Sequence, residues 1–416
     1  MKNPSILSID FGSSYTKLSV REGYNETATL VPGGKGQSPW IPTVVTSIVR
    51  NGKTTWLTGE AAASQPRTEG VATHRHWKAA LFAKDREDLT AAEAVELAIR
   101  FFTSLRTTLT TSGELSTLPV RISVPKFEFA GAEGVIRDIL VESGWSIADG
   151  RSVLFEPETN AIGILTRARN ATWMPGRVTG QPGPVHSIHM QQMLEPGLAD
   201  SFRTMRDAYA VLVTDIGAFT TDFGFVSFDT AFKTNDWSQP TTRQQSVPIG
   251  IRNLDVAIFN LLEPEAQSAV RSMSTTAWEN HKRQLYAGEP VRLVGTHGRP
   301  ITIGSGIEGE AIQGKIRSFS RRVIEERDKF IIELRKPILA EDVFSGGGFS
   351  IPTLRKALLK ARNGVRVQDL LDVEEPMQMV FGQPRRSALE IDARIRMNAQ
   401  LLRGGSAMGG ASVFFE

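Results

Sequence analysis

VLVTDIGAFTTDFGFV, Val211 to Val226, reads as a strand, a tight turn and a returning strand. The apolar run Val211-Leu212-Val213 ends at an acid, Asp215. Gly217 and the hydroxyls of Thr220 and Thr221 follow, and a second apolar run begins at Phe223. Such a turn offers backbone N–H groups and hydroxyls to an anion, and a carboxylate to a metal ion. Gly217 lets the backbone come close to a phosphate.

The same design stands near the start of the chain. Ile6 to Val20, ILSIDFGSSYTKLSV, is a strand that delivers Asp10, then Gly12, then Ser13 and Ser14, then another strand. Either copy alone reads more readily as an ordinary β-hairpin with a polar turn. Two copies in register, far apart in the chain, point to two similar lobes gripping one polyphosphate.

Composition bounds the rest. A chain of 416 residues is too long for one core, so two or more lobes are expected. Hydrophobic content of 40% and charged content of 22% fit a globular chain. A net charge of +3 is small for this length, and no basic run carries interleaved aromatics, so nucleic acid is not an expected partner. Cysteine is absent, which excludes disulfides, thiolate catalysis and cysteine-ligated metals. No apolar run is long enough for a membrane span, and Asp10 interrupts the first apolar stretch without a cleavage site. No signal peptide and a cytoplasmic location are therefore expected.

Between the hairpins, Gly33 to Ser38 is a glycine-rich loop without Walker spacing, and Ile41 to Gly59 is a hairpin turning at Asn51-Gly52. Lys78 lies in the apolar setting WKAALF; pattern alone reads it as a surface lysine on a short helix. Thr90 to Thr107 and Gly131 to Gly144 have helical spacing, with the strand PVRISVP between them. Glu156-Pro157 ends a strand and opens a helix, so Glu156 is a site candidate or a helix N-terminal acid. Thr166 to Ala210 breaks the pattern: it reads as an inserted loop plus a helix over Leu198 to Ala208, and its His186 and His189 lack a third ligand.

After the second hairpin, Gly250 precedes a helix. Ser268 to Leu285 is expected to form one further helix carrying Glu279, Lys282 and Arg283 on one face, which pattern alone reads as a surface ion-pair ladder. Val291 to Ile303 is a hairpin. Gly304 to Gly309, GSGIEG, matches a dinucleotide fingerprint but precedes a long helix, Ile312 to Leu334, without a βαβ unit, so that reading is rejected. A strand from Ile338 leads to Gly346, Gly347 and Gly348 and then a helix, an arrangement that lets a flat ligand lie on the backbone or is a plain loop. The tail is expected to hold a helix over Ala388 to Leu402, and its paired glycines suggest close helix packing rather than a ligand site.

In this order the segments resemble the actin-like ATPase superfamily, most closely the nucleotide-binding domain of heat shock protein 70 (DnaK-type) chaperones. IDFGSSYTKLSV and VTDIGAFTTDFGFV resemble its two phosphate motifs. IPTVVTSIV with LTGEAA resembles the early lobe I hairpin, WKAALF the segment of the catalytic lysine, and ISVPKF with LFEPETNAIG the first connecting motif. PIGIRNLD resembles the glycine before a lobe II helix, ENHKRQL the adenosine-clamping helix, and FSGGGFSIPTLRKAL the adenosine motif.

The resemblance implies an α/β, two-lobed actin-like (ribonuclease H-like) fold, each lobe a mixed sheet flanked by helices. Lobe I would be 1–209, with a small subdomain at about 32–90 and the insertion at about 166–209; lobe II would be 210–416, with a small subdomain at about 241–315 and the adenosine motif at about 344–361. It implies ATP or ADP with Mg2+ as ligands. Asp10 and Asp215 would hold the metal, mainly through waters. Gly12, Ser13, Ser14, Gly217, Gly250 and Thr220 would attend the phosphates; Lys78 and Glu156 would orient or activate the attacking water. Glu279, Lys282 and Arg283 would clamp the adenosine, with Gly346 and Gly347 beneath it.

Several residues depart from the pattern. Phe349 and Ser350 replace a polar residue and an adenine-stacking arginine, and Ala218 and Phe219 replace glycines of the second turn. The stretch Gly131 to Glu133 lacks the family's signalling arginine, and the insertion has no counterpart. No linker or peptide-binding β-sandwich follows the match, so a peptide-holding chaperone cycle is not expected of this chain. The expected function is slow ATP hydrolysis whose lobe closure is read by a protein partner. A filament-forming actin-like ATPase and a non-hydrolysing nucleotide-sensing scaffold are the alternatives. Sugar kinases share the fold, but nothing singles out an acceptor-side carboxylate.

Overall fold

Asp10 and Asp215 each sit near the end of a strand flanked on both sides by other strands, and that placement organises the molecule. The computed structural model describes residues 5–21, 28–32, 38–82, 89–112, 114–125, 131–148, 151–160, 162, 209–228, 241–295, 298–334, 341–360 and 406–411. The chain is a mixed α/β protein. The helix expected over Leu198 to Ala208, the pair His186 and His189, most of the loop at Gly33 and the helix expected over Ala388 to Leu402 lie outside the described residues.

The first half gives β1 (Ile6–Phe11), β2 (Tyr15–Arg21), β3 (Thr29–Val31), β4 (Ile41–Pro42), β5 (Val44–Arg50), β6 (Lys53–Thr58), α1 (Gly59–Ala63), β7 (Val71–Arg75), α2 (Lys78–Phe82), α3 (Ala91–Ser112), β8 (Val120–Val124), α4 (Ala132–Glu142), β9 (Val153–Phe155) and the helix α5 over 156–160. The second gives β10 (Tyr209–Ile216), β11 (Thr221–Phe228), β12 (Thr241–Val247), α6 (Ile251–Phe259), α7 (Pro264–Ser272), α8 (Thr275–Ala287), β13 (Val291–Val294), β14 (Pro300–Ile303), α9 (Gly306–Glu333), β15 (Glu341–Ser345), α10 (Pro352–Lys360) and the helix α11 over 406–411.

Two sheets repeat one connectivity. In the first the order is β3-β2-β1-β8-β9; β1 runs antiparallel to β2 and parallel to β8. In the second the order is β12-β11-β10-β15; β10 runs antiparallel to β11 and parallel to β15. Strands β1 and β8 are buried at every position, as strands covered on both faces must be, and their sequences run apolar apart from short polar residues, Asp10 and Arg121. Each sheet has its own core. Leu7, Ile9, Phe11, Trp77, Phe101, Phe102 and Ile122 fill the first; Ile216, Phe223, Leu254, Ile316, Phe344 and Phe349 fill the second.

Local chemistry explains the flanking elements. The β5–β6 hairpin closes through Asn51 (φ 51°) and Gly52 (φ 70°), the paired positive φ values of a two-residue hairpin turn. Helix α3 buries Ala94, Leu97, Ala98, Phe101, Phe102, Leu105 and Leu109, one stripe at helical spacing. The single helix expected over Ser268 to Leu285 is two: the chain is extended at Met273 and Ser274, and the Ser274 hydroxyl accepts the Ala277 N–H at 3.3 Å. A serine able to cap competes with helix continuation at that point. GSGIEG is a helix start: the Glu308 carboxylate accepts the Gly304 N–H at 2.7 Å, ahead of the long α9. Of the tail's glycine pairs, Gly404-Gly405 lies outside the described residues, while Gly410 sits in close packing. A Cβ at Gly410 would strike the Ser8 hydroxyl, while Met408 and Ala411 of the same helix join the second core.

Candidate functional site

The first turn joins Phe11 to Thr16 through Gly12, Ser13, Ser14 and Tyr15. Gly12 is required because a Cβ there would run into the Tyr15 carbonyl. Thr43 braces the loop: its hydroxyl donates to the Gly12 carbonyl at 2.7 Å and its N–H to the Ser14 carbonyl at 2.9 Å. The hydroxyls of Ser13 and Ser14 have no protein partner among the described residues. Asp10 faces Lys17 directly across the β1–β2 ladder, and the Lys17 Nζ donates to Asp10 Oδ2 at 2.7 Å.

The second turn joins Ile216 to Thr221 through Gly217, Ala218, Phe219 and Thr220, and it has the same length. A Cβ at Gly217 would lie 3.0 Å from the Thr220 carbonyl, a milder version of the crowding at Gly12. The turn rests on the start of α6: Ile251 N–H donates to the Gly217 carbonyl at 3.1 Å and Arg252 N–H to the Ala218 carbonyl at 2.8 Å. Gly250 makes that seat possible, since a Cβ there would collide with the Ala218–Phe219 peptide. Asp215 faces Asp222 across the β10–β11 ladder, in the place that Lys17 holds opposite Asp10. Asp222 is buried and accepts hydrogen bonds from the hydroxyls of Thr220 (2.8 Å) and Ser246.

Two further segments join the turns. Lys78, on α2, is 2% exposed, so it is no surface lysine. Its Nζ donates to Glu156 Oε1 at 3.1 Å and to the Phe11 carbonyl, and lies 4.9 Å from the centre of the Phe11 ring. Glu156 opens α5, and one turn later Asn160 Nδ2 donates to Asp215 Oδ2 at 3.0 Å and to the Ser345 hydroxyl. Close approach makes this contact possible: a Cβ at Gly224 on β11 would overlap Pro157. Helix α5 thus carries Glu156 to the first turn's lysine and Asn160 to the second turn's acid.

The electrostatics describe one shared cluster. Burial, and then Asp222, push the Asp215 carboxyl up to about 7, although Lys17 and the Asn160 hydrogen bond oppose the shift. Burial pushes Asp222 up to about 6 against the Ser246 and Thr220 hydrogen bonds. Burial raises Glu156 well above the usual carboxylate range; Lys78 opposes, while Asp222, Asp10 and Asp215 add to the rise. For Lys17 burial works toward a lower value, but Asp10, Asp215 and Glu156 outweigh it and hold the ammonium above its ordinary pKa. Among the described residues no three His, Asp or Glu side chains stand as a ready set of direct metal ligands.

The expected adenosine residues divide. On α8, Lys282 is 5% exposed and is no rung of a surface ladder: it bonds Asp255 on α6 at 2.6 Å and Glu279 at 2.7 Å, and Tyr286 donates to the same Asp255. Arg283 is exposed. Burial, and then Glu279, push the Tyr15 hydroxyl up, with Arg283 and Lys282 opposing. Gly346 (φ 84°) passes so close to β10 that a Cβ would strike the Asp215 carboxylate and the Ile216 carbonyl, whereas Gly347 is exposed with open space around it. Phe349 is fully buried and stacks on Phe344 at 5.2 Å, so it belongs to the core.

Sequence reasoning missed Lys17, Thr43, Asn160, Asp222 and Ser345. For Lys17 and Asp222 a signal existed, since each follows its hairpin's acid at the same offset. No helix among the described residues is long and apolar enough to cross a membrane. No protein-family model matches the chain, and no curated protein is significantly similar to it.

Proposed function

We propose that the chain is a Mg2+-dependent ATPase of the two-lobed actin-like kind, close in design to a heat shock protein 70 nucleotide-binding domain. It holds ATP between its two acid-bearing turns and hydrolyses it slowly. The observation that carries this reading is the cluster itself: from the short helix α5, Glu156 meets Lys78 beside the first turn and Asn160 meets Asp215 of the second, so the acid-bearing ends of two sheets with separate cores are tied together. Two glycine turns of equal length beside two acids suit a chain of phosphates with its counter-ion.

The residues fit a magnesium ion. Asp10 and Asp215 supply hard oxygen donors, and with Asp222 and Glu156 nearby the buried site holds more carboxylates than ammonium groups. Asp10 and Asp215 would hold the ion, mainly through waters, and it would supply charge neutralisation to the phosphates. Ser13, Ser14 and Thr220 are the hydroxyls offered to the phosphates. Lys78 and Glu156 form the fixed pair that orients the attacking water. Phosphoryl transfer needs little beyond such positioning and charge neutralisation.

Asn160 and the Lys78–Glu156 pair couple the two turns, so closure on ATP and opening after hydrolysis would move α8 and Arg283 relative to the first hairpin. A protein partner, or a second copy of the chain, reads that movement in the cytoplasm, where ATP is supplied. Calorimetry with ATP and with ADP in magnesium buffer tests the reading. Binding of both, with slow phosphate release from ATP, is the expected result; binding of neither ends it.

A further inference from the structure

The Lys17 ammonium lies over the first turn, about where a Cβ on Gly12 would touch it, at 3.4 Å. It contacts Asp10 at 2.7 Å, and its side chain is 17% exposed. Asp215 and Glu156 act on it as well. The other ammonium in the cluster, Lys78, is already held by Glu156 and the Phe11 carbonyl. Among the described residues, Lys17 is the cation that Asp10 has. The matching position of the second hairpin carries Asp222 instead, so the second acid has no counter-ion on its own hairpin.

We propose that Lys17 is the counter-ion of Asp10 in the nucleotide-free protein, and that it keeps a divalent cation out until nucleotide arrives. The proposal rests on the function given above and deepens it. A metal ion on Asp10 Oδ2 would share that oxygen with an ammonium 2.7 Å away. The two cations repel at that range, and the site is buried enough that solvent screens the repulsion weakly. A metal ion entering alone therefore has to displace Lys17 with nothing to receive it. Phosphate changes the balance, because it gives the ammonium a second anion. The consequence is an order of events: the metal enters with nucleotide and not before it. The asymmetry between the hairpins is what makes this conditional, since two lysines would refuse the metal and two acids would take it unaided.

The test uses the whole chain, freed of nucleotide, titrated with Mn2+ alone at constant ionic strength. Bound ion is read by electron paramagnetic resonance and by the melting temperature. Wild type is expected to take up Mn2+ at least about tenfold more weakly alone than with ADP. Lys17→Met and Lys17→Gln are each expected to bind Mn2+ alone at least about tenfold more tightly than wild type, with a larger rise in melting temperature on adding Mn2+, while Lys17→Arg behaves as wild type. Wild type binding Mn2+ equally well with and without ADP overturns the proposal, as do neutral variants that gain no affinity. The wild-type titration needs no variant to fold. If neither ATP nor ADP binds wild type, the function above fails, yet the variants still report whether Lys17 excludes the ion.

Discussion

The two acid-bearing hairpins have the same turn length, the same cross-strand register and a glycine at the same crowded position, yet opposite charges face their acids. Asp10 looks at Lys17, and Asp215 looks at Asp222. A cross-strand pair of opposite charge stabilises a ladder; a pair of like charge opposes it. The first hairpin pairs its acid with its own lysine, whereas the second relies on hydrogen bonds: Thr220 of its own turn and Ser246 of β12 on Asp222, and Asn160 of α5 on Asp215. The difference teaches that the backbone repeat builds both turns alike while one position sets the charge that faces each acid.

Removing either acid should have the largest effect. Asp10→Ala and Asp215→Ala are each expected to lower ATP turnover by at least about a hundredfold in a phosphate-release assay, and Lys78→Ala likewise. Unchanged turnover in both Asp215→Ala and Lys78→Ala would refute the site assignment. Loss in one hairpin only would break the claim that both serve one ligand.

Asp222→Asn sharpens the contrast. It removes the like-charge pair at almost constant volume, so the nucleotide-free protein should gain about 1 kcal/mol in a denaturant melt at pH 8. It should at the same time lose part of the stabilisation that Mg2+ with ADP gives the wild type. A variant less stable than wild type at that pH would mean that the hydrogen bonds to Asp222 outweigh its repulsion of Asp215.

The pH dependence follows from the same pair. Asp215 at about 7 and Asp222 at about 6 both lie above their value of 3.8 in the unfolded chain. Between those values the folded state holds more protons than the unfolded one, so its stability falls as pH rises. The melting temperature of the empty protein should drop by about 5 °C between about pH 5 and about pH 8, with a shallower slope in Asp222→Asn. A slope of the opposite sign would show that other groups dominate.

Local structure was legible because its signals are local. Asn51-Gly52, the stripe on α3 and the acid–glycine turns all declare themselves within a few residues. The break at Met273-Ser274 did not, since apolar spacing continues across it and the capping serine is visible only once Ala277 is seen to donate. WKAALF and ENHKRQL were ambiguous for a related reason: burial of Lys78 and Lys282 depends on Glu156 and Asp255, which approach from other elements. Asn160 and Ser345 were out of reach, because α5 meets β15 only through the folding of segments far apart in the chain. Lys17 and Asp222 could have been found by aligning the two hairpins and reading the residue opposite each acid.

The smallest expected effect lies where each acid meets its parallel neighbour. Asp10 pairs with Ser123 on β8, and Asp215 with Ser345 on β15. After Ser123 the chain continues through Val124, but after Ser345 it must pass within contact of the Asp215 carboxylate, and Gly346 permits this. Gly347 is different: a Cβ there meets no atom within 4 Å, and its φ lies outside the positive range. Gly347→Ala should therefore change stability by less than about 0.5 kcal/mol. If adenosine lies on this backbone, the added methyl group should still weaken ATP binding by about threefold, with turnover at saturation unchanged. Unaltered affinity would place the base elsewhere and leave Gly347 as a simple strand-to-helix connector, with no bearing on the two hairpins.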